Sequence, residues 1–266
     1  MKSSIVLWRA AGSLAFVATL LFMFGLIYAA QDIIYPKPSD ANAASNPVPT
    51  NSAAESLPKG ETMILALGDS LTRGTGDLSG DGGYVGKVRT HLEELWKKPV
   101  NVVNQAVNGW RADSLLQFME EPDVQKLIRQ ADIVMLTIGA NDLSQAGSTN
   151  QSDINYAEIN KNLPVIEEKL NQILTKIAAL NPNSKIVYVG LYNPYIKKDR
   201  NQEGSSILQQ WNLKAAQIAD GFPNMIVVPT FDLFQFDIQK YLYTDEFHPN
   251  SLGYDRIAAR VVQALE

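Results

Sequence analysis

The chain has no cysteine and only two histidines, His91 and His248, among its 266 residues. The first absence removes disulfides, thiolate nucleophiles and cysteine-ligated zinc or iron–sulfur centres. The second leaves too few imidazoles for a histidine-rich metal site, so neither a metal nor another cofactor is expected. Basic charge is also short: 23 Lys and Arg face 28 Asp and Glu, a net charge of -5. Nucleic acid is therefore not an expected partner, because phosphate binding needs a concentrated Lys/Arg face. A Gly-x-Ser-x-Gly elbow is missing too, which argues against the α/β-hydrolase fold.

Charge is absent altogether from Ala10 to Gln31, a stretch that includes Leu14-Ala15-Phe16-Val17-Ala18-Thr19-Leu20-Leu21-Phe22. About twenty such residues can cross a bilayer as a helix. Lys2 and Arg9 precede the run and Asp32 follows it, so the positive-inside tendency directs the remainder outward. Residues 1–31 are expected to form a membrane signal-anchor with the rest of the chain outside the cytoplasm. The rival reading is a cleaved signal peptide ending near Tyr28-Ala29-Ala30, which would make the protein secreted. Residues 32–59 are rich in Pro, Ser, Ala and Asn. They carry too little apolar surface to fold alone and read as a disordered tether.

Residues 60–266 form one expected domain, and the chain's 45% hydrophobic content is enough for one sizeable core. Apolar runs at Met63–Leu67, Val100–Val103, Ile133–Ile138, Ile186–Gly190 and Met225–Val228 have the length and β-branched content of buried strands. Helical spacing separates them, best seen in Ile166, Leu170, Ile173 and Ile177, in Ile207, Trp211 and Ile218, and in Tyr254, Ile257 and Val261. Pro164 is expected to start or kink the first of these helices and Ser251 to cap the last. The alternation predicts an α/β fold: a three-layer α/β/α sandwich around a mostly parallel five-stranded sheet. Ligands of such sheets bind beyond the carboxyl ends of the strands. Ser70, Gly109 and Gly139-Ala140-Asn141-Asp142 all follow predicted strands and reach that edge.

Gly68-Asp69-Ser70-Leu71 and Asp245-Glu246-Phe247-His248 supply a serine, an aspartate and a histidine. A serine hydroxyl attacks poorly unless an imidazole takes its proton and a carboxylate fixes the imidazole's tautomer. Asp245 lies three residues before His248, close enough in a turn to reach the ring. His91 sits on the flank of an apolar helical stripe (Val85, Val88, Leu92, Leu95, Trp96) and reads as a helix-surface residue.

Four separated motifs resemble the SGNH, or GDSL, family of serine esterases and acylhydrolases: Gly68-Asp69-Ser70-Leu71, Gly109 within Asn104–Gly109, Gly139-Ala140-Asn141-Asp142, and Asp245-Glu246-Phe247-His248. The likeness covers Glu61 to Glu266. It implies a flavodoxin-like sandwich, a carboxylic ester hydrolase activity without cofactor, Ser70 as nucleophile, and Asp245 and His248 as acid and base. Ala106 stands where many members have glycine. A tetrahedral intermediate needs hydrogen-bond donors fixed in advance. The backbone N–H groups of Ser70 and Gly109 and the Asn141 amide are the expected oxyanion hole, and Gly109, lacking a Cβ, allows close approach.

The competing reading is a non-catalytic module that binds cell-envelope glycan or lipid on the same fold. Under it Ser70 merely caps a helix, Asn141 closes an Asx turn, and Asp245 with His248 forms a surface turn. Asp69 and Asp142 are expected to order their own turns by local bonds. Leu71–Asp77 lacks the ending of a phosphate-binding loop and is expected to be a mobile loop beside the nucleophile. Trp110, Leu143 and Tyr192–Arg200 are expected to border the substrate pocket, for an acyl chain or a sugar ring.

Overall fold

A computed structural model describes residues 61–148 and 154–266. The expected membrane segment at 1–31 and the linker at 32–59 lie outside them. Five strands form one sheet: β1 (Thr62–Gly68), β2 (Val100–Asn104), β3 (Ile133–Thr137), β4 (Lys185–Val189) and β5 (Met225–Val228). Their order is β2-β1-β3-β4-β5 and every pairing is parallel. Each predicted strand is present with its ends moved by no more than two residues, so the sheet is wholly rather than mostly parallel. Strand β3 is buried along its length and β1 from its second residue onward. That burial is why they read as unbroken apolar runs instead of alternating ones.

The connecting helices are α1 (Ser70–Arg73), α2 (Gly83–Trp96), α3 (Ala112–Phe118), α4 (Pro122–Gln130), α5 (Ala140–Ala146), α6 (Tyr156–Leu180), α7 (Glu203–Ala219) and α8 (Ser251–Leu265). Helices α2 and α8 pack on each other, whereas α6 packs against α3, α4, α5 and α7. The two groups cover opposite faces of the sheet and give the three-layer sandwich. Each buries one stripe: Ile166, Leu170, Ile173, Leu174 and Ile177 in α6, and Tyr254, Ile257, Ala258 and Val261 in α8. No helix among the described residues is long and apolar enough to cross a membrane.

Two local expectations change. Pro164 does not start α6 but lies inside it, where the kink alternative would put it; a Pro costs one intrahelical bond, and the buried stripe of this 25-residue helix outweighs that loss. Ser251 is not the cap of α8. Asn250 is, in extended conformation with its side chain accepting the Gly253 N–H, while Ser251 occupies the first helical turn. Asn250 Nδ2 also donates to the carbonyls of Lys240 and Leu242, at 2.9 and 3.0 Å, so the cap fastens the preceding loop as well.

The chain reverses its winding direction between β1 and β3, its first crossover leading to β2 on one side and the later ones to β3, β4 and β5 on the other. The crevice at the carboxyl ends of β1 and β3 is therefore the switch point, where such sheets bind ligands.

The Asn250 cap yields a stability test. Asn250→Ala should destabilise the folded chain by about 1–2 kcal/mol in urea unfolding, the usual cost of a lost cap. An unchanged midpoint would show that the cap and its two carbonyl bonds contribute nothing.

Candidate active site

Strand β1 delivers Ser70 to the switch point through a sharp turn. Gly68 is at φ +116, and a Cβ there would lie 1.9 Å from the Thr137 carbonyl oxygen, so only glycine lets β1 run this close to β3. Asp69 then caps α1, its Oδ1 accepting the Leu71 N–H at 3.1 Å, and Gly74 closes the helix in left-handed conformation after a single turn. Asp69 is buried, and its Oδ1 also takes the Thr137 hydroxyl at 2.6 Å. Its Oδ2 is buried with no partner. Burial pushes the Asp69 carboxyl up, opposed by the bonds from Thr137 and Leu71 and by the nearby His248.

The loop ahead of α8 brings His248. Asp245 Oδ1 accepts the backbone N–H groups of Phe247 and His248, both at 2.9 Å. That turn, with Glu246 at φ +56, swings the imidazole back over the carboxylate. Asp245 Oδ2 lies 2.6 Å from His248 Nδ1, and His248 Nε2 lies 2.8 Å from Ser70 Oγ. With Asp245 ionised, Nδ1 carries the proton and Nε2 offers its lone pair to the serine hydroxyl. Burial pushes the Asp245 carboxyl up, but the bonds from the His248 ring and from the N–H groups of Phe247 and His248 outweigh it and hold it below the usual value. Tyr192 Oη donates to the Phe247 carbonyl at 2.6 Å, and the Tyr243 N–H donates to the His248 carbonyl at 2.7 Å, so the loop is braced from both sides.

Gly109 and Asn141 close the third side. Asn141 Nδ2 donates to the Trp110 carbonyl at 2.8 Å, and both Asp142 oxygens accept the Ala112 N–H, at 3.2 and 3.0 Å. Two adjacent residues on α5 thus clasp the segment after β2 and set the Gly109 turn. Gly109 is at φ +77 with open space where a Cβ would be. Among the described residues, the backbone N–H groups of Ser70 and Gly109 donate to no backbone or side-chain acceptor. Unpaired N–H groups at an open crevice are what a developing oxyanion needs.

Other expectations fare unevenly. His91 is exposed on α2. Leu143 is buried in the core. Tyr192 is also buried, stacked on Phe234 with ring centroids 4.0 Å apart. Asp142 bonds across to α3 and not within its own turn. Of Leu71–Asp77, expected as a mobile loop, Leu71–Arg73 belong to α1 and the end is tied by Asp77, which accepts from Ser251 Oγ at 2.6 Å, from the Ser79 N–H and hydroxyl, and from the Gly83 N–H. Thr137 and Asp77 escaped sequence reading. The only available signal for Thr137 was a hydroxyl ending an otherwise apolar run. Among the described residues no group of three or more His, Asp or Glu could hold a metal ion.

A serine hydroxyl, imidazole and carboxylate joined in series beside free N–H donors, at the switch point of a parallel sheet, form an arrangement suited to nucleophilic-serine hydrolysis. The chain belongs to the GDSL-like lipase/acylhydrolase family, whose model matches residues 66–256. It is 35% identical over 218 residues to the Bacillus subtilis protein YpmR, covering 80% of this chain and 85% of that one. It is 25% identical to the spore germination lipase LipC of Bacillus licheniformis, over 75% of this chain and 94% of that one. Among solved structures, a lipase from the goat rumen metagenome superposes with TM-score 0.69 at 23% identity, covering 76% of this chain and 97% of that one. The acetylxylan esterase Axe2 of Geobacillus stearothermophilus superposes at 0.56 with 21% identity, over 76% and 93%. These last two likenesses speak for the fold.

The Asp77 tether has a pH signature. Burial pushes its carboxyl up, but the bonds from Ser251, Ser79 and Gly83 outweigh it and lower it from 3.8 to about 2. A depressed folded value means the stabilisation is present above the unfolded value and fades as pH falls toward the folded one. Asp77→Asn should therefore be less stable than the parent above pH 4, the gap closing between about pH 4 and pH 2 in urea melts. A gap independent of pH would assign the effect to shape and not to charge.

Proposed function

We propose that Ser70 is the nucleophile of a two-step ester hydrolysis, carried by one observation: the continuous relay from Ser70 Oγ through His248 to Asp245 at 2.8 and 2.6 Å. As Ser70 Oγ attacks the ester carbonyl, its proton passes to His248 Nε2, and the imidazolium formed is stabilised by Asp245. The tetrahedral oxyanion takes hydrogen bonds from the N–H groups of Ser70 and Gly109 and from the free N–H of the Asn141 amide. His248 returns the proton to the departing alkoxide, leaving an acyl group on Ser70. Water, deprotonated by His248, then releases the acid and restores the hydroxyl. A non-catalytic glycan- or lipid-binding module would need no such relay, which favours the enzyme.

The ester's acyl and alcohol parts meet a mixed surface. A groove of about 510 Å³ beside the catalytic loop is lined by Tyr195, Lys197, Ile238, Leu242, Tyr243 and Glu246, among others. Its aromatic and polar character suits either a lipid acyl ester, as in the lipase relatives, or an acetylated sugar, as the name acetylxylan esterase describes. We place the enzyme outside the cytoplasm, held to the membrane by residues 1–31 through the tether at 32–59. The uncharged run from Ala10 to Gln31 supports that placement. The secreted alternative differs only in cleavage near Ala30.

Ser70→Ala should lower kcat by at least about 10³-fold without unfolding the chain, since triad members act as a unit. His248→Gln should match it, whereas His91→Gln should be fully active. The reverse pattern would mean that the relay is misassigned. Asn141→Ala should lower kcat by about 10²–10³ with a smaller change in KM; an effect confined to KM would make Asn141 a ground-state contact.

For the tether, the full chain should sediment with membranes, and a chain beginning at Glu61 should remain in solution with equal activity on a small ester. Secreted protein whose N-terminal sequence starts near Ala30 or Gln31 would replace the anchor by a signal peptide.

A further inference from the structure

The N-terminus of α1 carries three amide donors in a row, and their partners differ. Leu71 N–H is taken by Asp69 Oδ1 at 3.1 Å, and Thr72 N–H by Thr137 Oγ1 at 3.1 Å. Ser70 N–H donates to neither. The two acceptors are themselves joined, Thr137 Oγ1 donating to Asp69 Oδ1 at 2.6 Å. A hydroxyl has one proton, so Thr137, having committed its own to Asp69, can only accept from the Thr72 hydroxyl at 2.8 Å. Thr72 Oγ1 then accepts the Thr137 N–H at 2.9 Å and leaves the Tyr84 hydroxyl, at 2.8 Å, as donor. The chain Tyr84 to Thr72 to Thr137 to Asp69 therefore runs in one direction. All four residues are buried, where an ordered chain of this kind rigidifies its surroundings.

We infer that Thr137, acting with Asp69 at the head of this hydroxyl chain, is a positioning residue for the oxyanion hole: it occupies the neighbouring amides of α1 and holds the Ser70 N–H free and aimed into the crevice. The inference rests on Ser70 being the nucleophile. Two further observations favour a functional over a purely structural chain. Asp69 Oδ2 is left buried without a partner directly beside the nucleophile, an expense that folded chains rarely tolerate away from a site. The Thr72 N–H is also bonded by a side chain from β3, not by a cap on its own helix, so β3 aligns α1 directly.

Thr137→Val keeps the shape and removes the hydroxyl; Thr137→Ser keeps the hydroxyl and removes the methyl. With a chromogenic small ester, Thr137→Val should lose about 10- to 100-fold in kcat, with KM within about threefold of the parent, because oxyanion donors act in the transition state. Its affinity for a boronic acid that mimics the tetrahedral intermediate should weaken by the same factor as kcat/KM. Thr137→Ser should return kcat to within about threefold of the parent, by the same reasoning. Tyr84→Phe, at the far end of the chain, should lose a few-fold in kcat only, and decides the matter should Thr137→Val not fold. The inference is overturned if folded Thr137→Val keeps its kcat, if its loss lies in KM alone, if Thr137→Ser is as impaired as Thr137→Val, or if Tyr84→Phe keeps full kcat in the absence of a folded Thr137→Val. Ser70→Ala run alongside separates the two layers. An active Ser70→Ala removes the serine reading and this inference with it, whereas an inactive Ser70→Ala beside a fully active Thr137→Val removes only the inference.

Discussion

The approach of β1 to β3 at Gly68 and Thr137 is the constraint from which the site follows. Those two residues are paired in register, and no side chain larger than hydrogen fits between them. The Asp69 N–H continues the ladder onto the Thr137 carbonyl at 3.1 Å, so the sheet's hydrogen bonding extends one residue past the strand. Everything placed at the turn after β1, the cap by Asp69, the single turn of α1 and the hydroxyl of Ser70, is fixed relative to β3 by that contact. Because β3 also leads into α5, the same contact relates Ser70 to Asn141.

His248 reaches this platform by a different physical route. His248 comes from a loop with little regular structure, and its position is over-determined by polar contacts: Asp245 on its ring and backbone, Tyr192 and Tyr243 on neighbouring backbone atoms, and the Asn250 cap behind it. Asp77 adds a cross-brace, linking the loop after α1 to the first turn of α8 through Ser251. Ser70 is thus held by the sheet and His248 by a hydrogen-bonded loop. Such division allows the loop's outer face, where Tyr243 and Glu246 line the groove, to vary in shape without moving Ser70.

How far the chain could be read in advance follows from sequence separation. The strands were legible because central parallel strands are apolar on both faces, and Ile64–Leu67 and Ile133–Leu136 show this directly. The contact between Asp245 and His248 was legible because three residues of a turn can close on themselves. The bonds that organise the site from afar were not: Thr137 meets Asp69 across 68 residues and Ser251 meets Asp77 across 174. Nothing local marks a threonine at the end of an apolar run as an acceptor for a distant amide. The burial of Leu143 was hidden for the same reason, since which face of α5 is covered depends on packing and not on its seven residues alone.

The central claim, that Ser70 carries the acyl group, is tested most directly by intact-protein and peptide mass spectrometry after reaction with a fluorophosphonate. The account predicts one phosphonyl adduct, located on Ser70, formed in step with loss of esterase activity and suppressed in His248→Gln. A stoichiometric adduct on any other residue, or full inactivation with Ser70 unmodified, would contradict it.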